Sequence, residues 1–561
     1  MRGLRHGKFV ALGAVVALAA AACGGSSGGG GNNAGSVSKG GTFSVYIVEP
    51  QYLIPANTNE TSGSQVDAGL FTPLVDYDQK TNAPHDTELT DSIKSSDQKV
   101  WDIKIKSGWK FHDGTPVTSD SFIDAWNFAA YGPNGQNNNY FFALIDGYCD
   151  VNPGGTDENG NTCPGDAKTT TPTTKTLKGL EKVSDTEFKV TLIAPNNTFY
   201  TRLGYTGFYP MPKKFIDGDD AAKKAFEQAP IGNGPFQMDG TWTHDQSIKV
   251  KKYADYKGTK PNADAVDFKI YQQDTTAYSD LQADNLDVMD TVPTDSLATV
   301  ATDLGDRYIQ IPSSYYGFLG FPTFDTKYSK KEVRQAISMA IDRKEITTKI
   351  FNNTRTPADD FVSPVVNGYR KGACGDACKF DAAKAKQMLQ AAGGIEGNSM
   401  TITYNADGGH KDWVDAACNQ IKANLGVDCV GVPKPKFGQL LNDLDKAKTA
   451  KTGFGPFRLA WIMDYPSMQD YLGPLYGTTG SSNYYGYSST EFDQLVGKGV
   501  GEAKEADAIK DWQKADDILV KDLPVVPLFF GQLNGAVSKK VKDVQFDAFQ
   551  RVNLVKVQVV K

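Results

Sequence analysis

The chain has 561 residues, with 59 Lys and Arg against 66 Asp and Glu and a formal charge of −7. An apolar fraction of 40% and an aromatic fraction of 11% are those of a globular protein, and the length suits two or three large lobes rather than one ordinary domain. Net acidity and the lack of a basic tract exclude nucleic acid and anionic lipid surfaces as partners.

Arg2, Arg5 and Lys8 precede an apolar run of 14 residues, Phe9 to Ala22. A helix needs roughly 20 apolar residues to cross a bilayer, so residues 1–22 read as a secretory signal. Cys23 follows Ala20-Ala21-Ala22 and resembles the lipidated Cys of a bacterial lipobox, with Ala20 at the position where such motifs usually carry Leu. Residues 23–40 then read as a lipidated Cys and a flexible Gly/Ser/Asn linker. Removing residues 1–22 leaves 539 residues with 56 basic and 66 acidic side chains, a net of −10. No later stretch is long and apolar enough to span a membrane.

Ordered sequence is expected from about Gly41. Trp101, Ile103 and Ile105 alternate with Asp102, Lys104 and Lys106, and Ile248 and Val250 alternate with Lys249 and Lys251, the period of a strand. A helix entry is expected near Ser119-Asp120. Val333, Ala336, Ile337, Ala340 and Ile341 make one stripe of a buried helix. A further helix is expected from an N-cap at Asp381 to a stop at Gly393-Gly394. Strands and helices interleave without a fixed repeat, which argues an α/β mixture.

Six Cys follow Cys23, an even number in an exported chain, and their spacing favours three local disulfides. Cys149 and Cys163 bracket a Gly/Asn/Asp-rich loop, Cys374 and Cys378 flank Gly375-Asp376-Ala377, and Cys418 sits in a helical pattern before a strand carrying Cys429. Zinc is disfavoured, because none of His85, His112, His244 and His410 has ligand spacing to another His or to these Cys.

Five phrases occur in order: WDIKIKSGWKFHDGTPVTSDSF from Trp101, PIGNGPF from Pro230, EVRQAISMAIDR from Glu332, WIMDYPSMQDYL from Trp461 and LPVVPL from Leu523. Together the chain resembles the solute-binding proteins of ABC importers in the oligopeptide, dipeptide and nickel cluster. The resemblance implies a two-lobed α/β fold of the type II periplasmic-binding (Venus-flytrap) kind with an extra subdomain in lobe one. Lobe one would take residues 41–311 and 529–561, and lobe two residues 312–528. It implies a monomeric receptor, not an enzyme, with no cofactor or metal. The receptor would be anchored to the outer face of the cell membrane by a lipid on Cys23. It would capture oligopeptides and hand them to a membrane permease with its ATPases.

By the same resemblance, Asp464 in Trp461-Ile-Met-Asp-Tyr465 pairs with the peptide's α-ammonium. Arg458 and His410, the latter after Tyr404-Asn405, lie around the terminal carboxylate. A carboxylate and an arginine suit these partners, since charge-assisted hydrogen bonds are strong in a closed cleft. The extended peptide would pair with walls at Asn57–Ser62, including Glu60, and at Leu459–Ile462. Tyr315 and Tyr316 would line side-chain pockets, and Trp461 and Tyr465 complete the ligand set.

Competing readings are weaker on the residues. A nickel-chelate receptor would want a cleft His, and an oligosaccharide receptor stacked Trp and side-chain amides. Ser96-x-x-Lys99 and Lys451-Thr-Gly453 match parts of penicillin-binding serine enzymes, but Ser96 lies in a polar stretch before a strand and no S-D-N lies between them. His112 and Asp113 are adjacent and read as a turn with Gly114. Asp157-Glu-Asn-Gly-Asn161 lacks the closing acid of a calcium loop.

Overall fold

The computed structural model describes residues 40–158, 160–406 and 409–560. The expectations for the signal, for Cys23 and for the tract after it lie outside these residues. Among the described residues, no helix is long and apolar enough to cross a membrane.

Two strands of 13 residues, Tyr308–Gly320 and Val525–Val537, pair antiparallel at the centre of an 11-stranded mixed sheet. To one side the sheet continues through Val288–Met289, Thr42–Ile47, Ala265–Ile270, Ser247–Lys252 and Phe236–Met238. To the other it continues through Phe457–Trp461, Ser399–Asn405 and Asp428–Lys434. The last two strands are parallel, so a crossover must join them. Helix Lys411–Leu425 supplies it, and the Cys418–Cys429 disulfide ties that helix to the second strand.

The apolar side chains divide along this sheet. One core gathers residues from Phe43 to Ile270 and the C-terminal return from Leu533 to Val557. Two others gather residues from Tyr316 to Phe530. The chain passes between them on the two long strands, and there the ladder is irregular, between Pro312 and Tyr316. Pro312 has no N–H to give, and Ser314 N donates instead to the Ala548 carbonyl at 3.3 Å. A separate four-stranded antiparallel sheet, which includes Val100–Ile105 and Glu187–Thr191, is covered by helix Ser119–Ala130. Phe122 and Trp126 of that helix pack on Phe188 at 5.8 and 5.6 Å. The fold is thus two-lobed and α/β.

Much of what the sequence phrases encode is scaffold. His112 accepts from Gly232 N through Nδ1 at 3.1 Å and its Nε2 lies 3.2 Å from the Gly234 carbonyl. Burial lowers its pKa to about 4, so it is neutral and binds both backbone segments. A Cβ on Gly232 would stand 1.8 Å from the Leu70 carbonyl oxygen, so only glycine fits there. The expected helix over Val333–Ile341 is shorter: it spans Lys331–Met339, with Ala340 as its C-cap. Asp342 accepts from Glu345 N and starts a new helix, Arg343–Lys349, although Ala340 and Ile341 remain buried. The helix Ala382–Ala391 opens at Asp381, as expected.

The three local disulfides, Cys149–Cys163, Cys374–Cys378 and Cys418–Cys429, are all formed. The oxygen-rich loop closes on itself, with Asp157 accepting from Asn161 N at 2.8 Å. Ser96 precedes strand Val100–Ile105 in a loop organised by Asp97, so no helix brings Lys99 to face it.

Candidate functional site

Strand Phe457–Trp461 pairs with Tyr308–Gly320 along one edge. On its other edge, the ladder pairing among the described residues is Thr403 with Phe457. Past that point the edge at Leu459–Trp461 has no ladder partner, and Ile462 just beyond it is 45% exposed. Such an edge is a template for another extended chain.

At the C-terminal end of this edge stands an acidic pair. Asp464 N donates to Asp470 Oδ2 at 3.0 Å, and Trp461 Nε1 donates to the same oxygen at 3.1 Å. The other Asp470 oxygen is buried with no hydrogen-bond partner. Tyr140, half exposed and next to the first-core residue Phe141, points its hydroxyl at Asp464 Oδ2 at 3.5 Å. Burial raises the Asp464 carboxyl, against the Tyr140 hydrogen bond and the charge of Arg202. Burial and then the neighbouring Asp464 raise Asp470 further. Two carboxyls here cannot both ionise at little cost until a cation joins them.

At the other end stands a basic pair. Arg458 Nη1 donates to Asn405 Oδ1 at 2.9 Å and lies 5.4 Å from the Phe437 ring centre. Arg355 stacks among Phe351, Phe529 and Tyr315 at 4.0, 4.7 and 5.0 Å, and its Nη1 is buried without a hydrogen-bond partner. Burial would raise the Tyr315 phenol, but Arg355 and Arg458 outweigh it and hold the phenol below its ordinary value. Burial and the repulsion of Arg458, against the opposing pull of Tyr315, hold the Arg355 guanidinium below its own ordinary value. Two guanidiniums around one phenol, with one donor unused, make a place for an anion.

The sequence expectations meet this geometry unevenly. Asp464, Trp461 and Arg458 lie along the open edge. Tyr465 is 4% exposed, sits in the first core and carries the Arg202 guanidinium over its ring. Glu60 caps helix Thr61–Leu70, accepting from Ser62 N and Gly63 N at 2.7 Å each, so its carboxylate shapes the wall. His410 is buried, with Trp413 Nε1 donating to its Nδ1 at 3.2 Å, and it leads into helix Lys411–Leu425. Tyr316 is a correction: it is fully buried against Phe318, Tyr471 and Phe530 and lines no surface. Its neighbour Tyr315 points to the other face of the strand, as alternation requires.

Sequence reasoning missed Arg355, Tyr140, Asp470 and Arg202. Asp470 was within the quoted WIMDYPSMQDYL phrase. Arg355 lies 103 positions before Arg458 and has no local signal. A cavity of about 830 Å³ opens beside the crossover, lined by Asn82, Ile311, Pro312, Val365 and Phe546 among others; neither Asp464 nor Arg458 borders it. The charged groups, and not this cavity, define the candidate site.

The profile of the bacterial extracellular solute-binding proteins, family 5 Middle, matches residues 87–483. Dipeptide-binding protein DppE of Bacillus subtilis is 28% identical over 468 residues, covering 80% of this chain and 79% of that protein. The Escherichia coli murein tripeptide binding protein MppA superposes with a TM-score of 0.73 at 21% identity, covering 94% of this chain and 99% of the other. Haemophilus influenzae OppA, solved in complex with RPPGFSPFR, superposes with a TM-score of 0.72 at 20% identity over 94% of this chain and all of the other. At these identities the two structures speak for the fold alone. With the match extending over most of its length, this chain belongs to the bacterial extracellular solute-binding proteins of family 5.

Proposed function

We propose that the protein is a lipid-anchored peptide receptor of an ABC importer. The observation that carries this reading is the pairing of opposite chemistries on one open strand edge. The acid pair Asp464/Asp470 suits an ammonium, the basic pair Arg355/Arg458 suits a carboxylate, and an unpaired edge between them suits a peptide backbone. Asp464 lies six positions after Arg458. An extended chain advances about 3.3 Å per residue, so the two ends are at most ~20 Å apart. That favours oligopeptides of about six residues or fewer. Among the named relatives, the dipeptide-binding and murein tripeptide-binding proteins fall within this length, whereas OppA was solved with the longer RPPGFSPFR.

Lobe one is taken as residues 41–311 and 529–561 and lobe two as residues 312–528, a division supported by the separate cores. Peptide bridging the lobes would favour the closed form, because only that form makes both sets of contacts. Cys23 would carry the lipid, and the closed form would dock on a permease driven by ATPases. Mass spectrometry of ligand co-purified with the protein from its native host tests the reading. Short peptides support it; a nickel chelate, an oligosaccharide or another non-peptide ligand overturns it. Mass spectrometry of the mature N-terminus tests the anchor, and an unmodified thiol at residue 23 overturns that part.

A further inference from the structure

The segment Asn196–Arg202 belongs to the first core in sequence but touches helix Thr490–Gly501 and, through Arg202, the residue that follows Asp464. Asn197 N donates to the Val500 carbonyl at 2.9 Å, and its Nδ2 donates to Gly499 and Glu502 at 2.8 and 2.9 Å. These carbonyls end helix Thr490–Gly501, where they lack intrahelical donors. One turn further along, the Arg202 guanidinium lies 4.9 Å over the Tyr465 ring. Its side chain is 6% exposed and its groups are held on every side: Nη1 and Nη2 donate to Glu158 at 3.1 and 2.5 Å, and Nε donates to Thr198 at 3.0 Å. Glu158 stands in the loop closed by Cys149–Cys163, where its N donates to the Ala143 carbonyl at 3.2 Å and Asn196 Nδ2 reaches its Oε1 at 3.3 Å.

We propose that Arg202, aimed by Glu158 of the disulfide-closed loop, is a positioning residue of the ammonium site: it pins the Tyr465 ring and so fixes the turn that presents Asp464 to the ligand. A buried arginine paired bidentately with a carboxylate is rigid, and a ring beneath it gains a specific orientation. Asp464 is the residue immediately before that ring. The oxygen-rich loop thereby acquires a use, since the disulfide closes the segment from which Glu158 reaches Arg202.

This inference rests on the reading that Asp464 holds a peptide ammonium, and the test separates the two. A library of tetrapeptides with free amino termini, and the same library N-acetylated, are bound to each variant in a competition assay. The free-to-acetylated affinity ratio is the readout. Asp464→Asn should collapse the ratio; if it does not, the ammonium reading fails. Given that collapse, Arg202→Gln should lower the ratio by roughly 3- to 30-fold, and Arg202→Lys, which keeps the cation, should restore part of it. A merely structural Arg202 would weaken both libraries by the same factor, and an unchanged ratio in Arg202→Gln overturns the proposal. Should Arg202→Gln fail to fold, Tyr465→Leu decides, since it removes the stacked ring and leaves the Arg202–Glu158 pair in place. It should lower the ratio likewise, and an unchanged ratio overturns the proposal. The double variant Cys149→Ser/Cys163→Ser should move the ratio in the same direction, while Cys374→Ser/Cys378→Ser should not; equal effects of the two would overturn the role of the loop.

Discussion

Arg343 Nε donates to the carbonyl of Pro527 at 2.6 Å, joining two of the sequence phrases across 184 positions. Its other nitrogens reach the Ser338 and Ile341 carbonyls and the Ser338 hydroxyl. Arg334, nine residues earlier, does the same for Leu523, Tyr328, Ser329 and Asp522. Burial lowers the Arg343 pKa to about 10, still far above neutral, so the charge persists and is satisfied by carbonyl dipoles. The phrases EVRQAISMAIDR and LPVVPL are thus two halves of one clamp on the long strand Val525–Val537.

Arg343→Met should therefore destabilise the protein by about 3 kcal/mol or more, because it leaves several buried carbonyls without donors. Urea denaturation measures this. A loss under about 1 kcal/mol would mean that water or a neighbour satisfies those groups.

A second buried carboxyl pair governs stability against pH. Asp360 and Asp516 face one another in the second lobe, with Arg370 donating to Asp516 Oδ2 at 2.6 Å. Asp516 Oδ1 is buried with no donor, which a proton on Asp360 would supply. Burial, then the charge of Asp516, pushes Asp360 well above the ordinary carboxylate range. The folded protein holds a proton that the unfolded chain loses above about pH 4. This contribution is complete below that pH and is lost as pH rises toward the folded value. The slope of stability between about pH 5 and pH 9 should be less negative in Asp360→Asn than in the parent; parallel curves would dismiss the shared proton.

Ligand binding should release protons. Asp464 is raised by burial in the free protein, and an arriving ammonium draws it back down. Calorimetry near neutral pH in buffers of different ionisation enthalpy should report net release, and affinity should rise with pH until the peptide amine itself deprotonates. Net uptake would contradict the pairing.

The basic pair predicts the opposite-end chemistry. Arg355→Gln and Arg458→Gln should each weaken binding of peptides with a free terminal carboxylate by roughly 10-fold. The same peptides as terminal amides should lose much less. If acid and amide lose equally, the two guanidiniums serve packing alone.

The scaffold was legible wherever a signal was local. Trp101, Ile103 and Ile105 are a strand because their period is two, and Asp381 starts a helix because its carboxylate accepts from Lys384 N at 2.9 Å. Each disulfide closes a loop of 14, 4 or 11 positions, short enough for spacing to propose the pairs. Tyr316 shows the limit. The strand is irregular between Pro312 and Tyr316, and one position of parity decides which tyrosine is sealed among Phe318, Tyr471 and Phe530 and which meets Arg355 and Phe529 on the other face. Nothing in the string of residues marks that slip.

By itself, the sequence determined the α/β architecture, the family phrases and the short-range bonds, since each depends on periodicity or on neighbours along the chain. The tertiary structure alone decided which charges meet. Arg355 joins Arg458 around Tyr315, Tyr140 reaches Asp464, and Arg202 settles over Tyr465 with Glu158 behind it. Coulomb and hydrogen-bond energies act over a few ångströms of space, whatever the separation in sequence, and only the folding of two long strands into one sheet sets those distances.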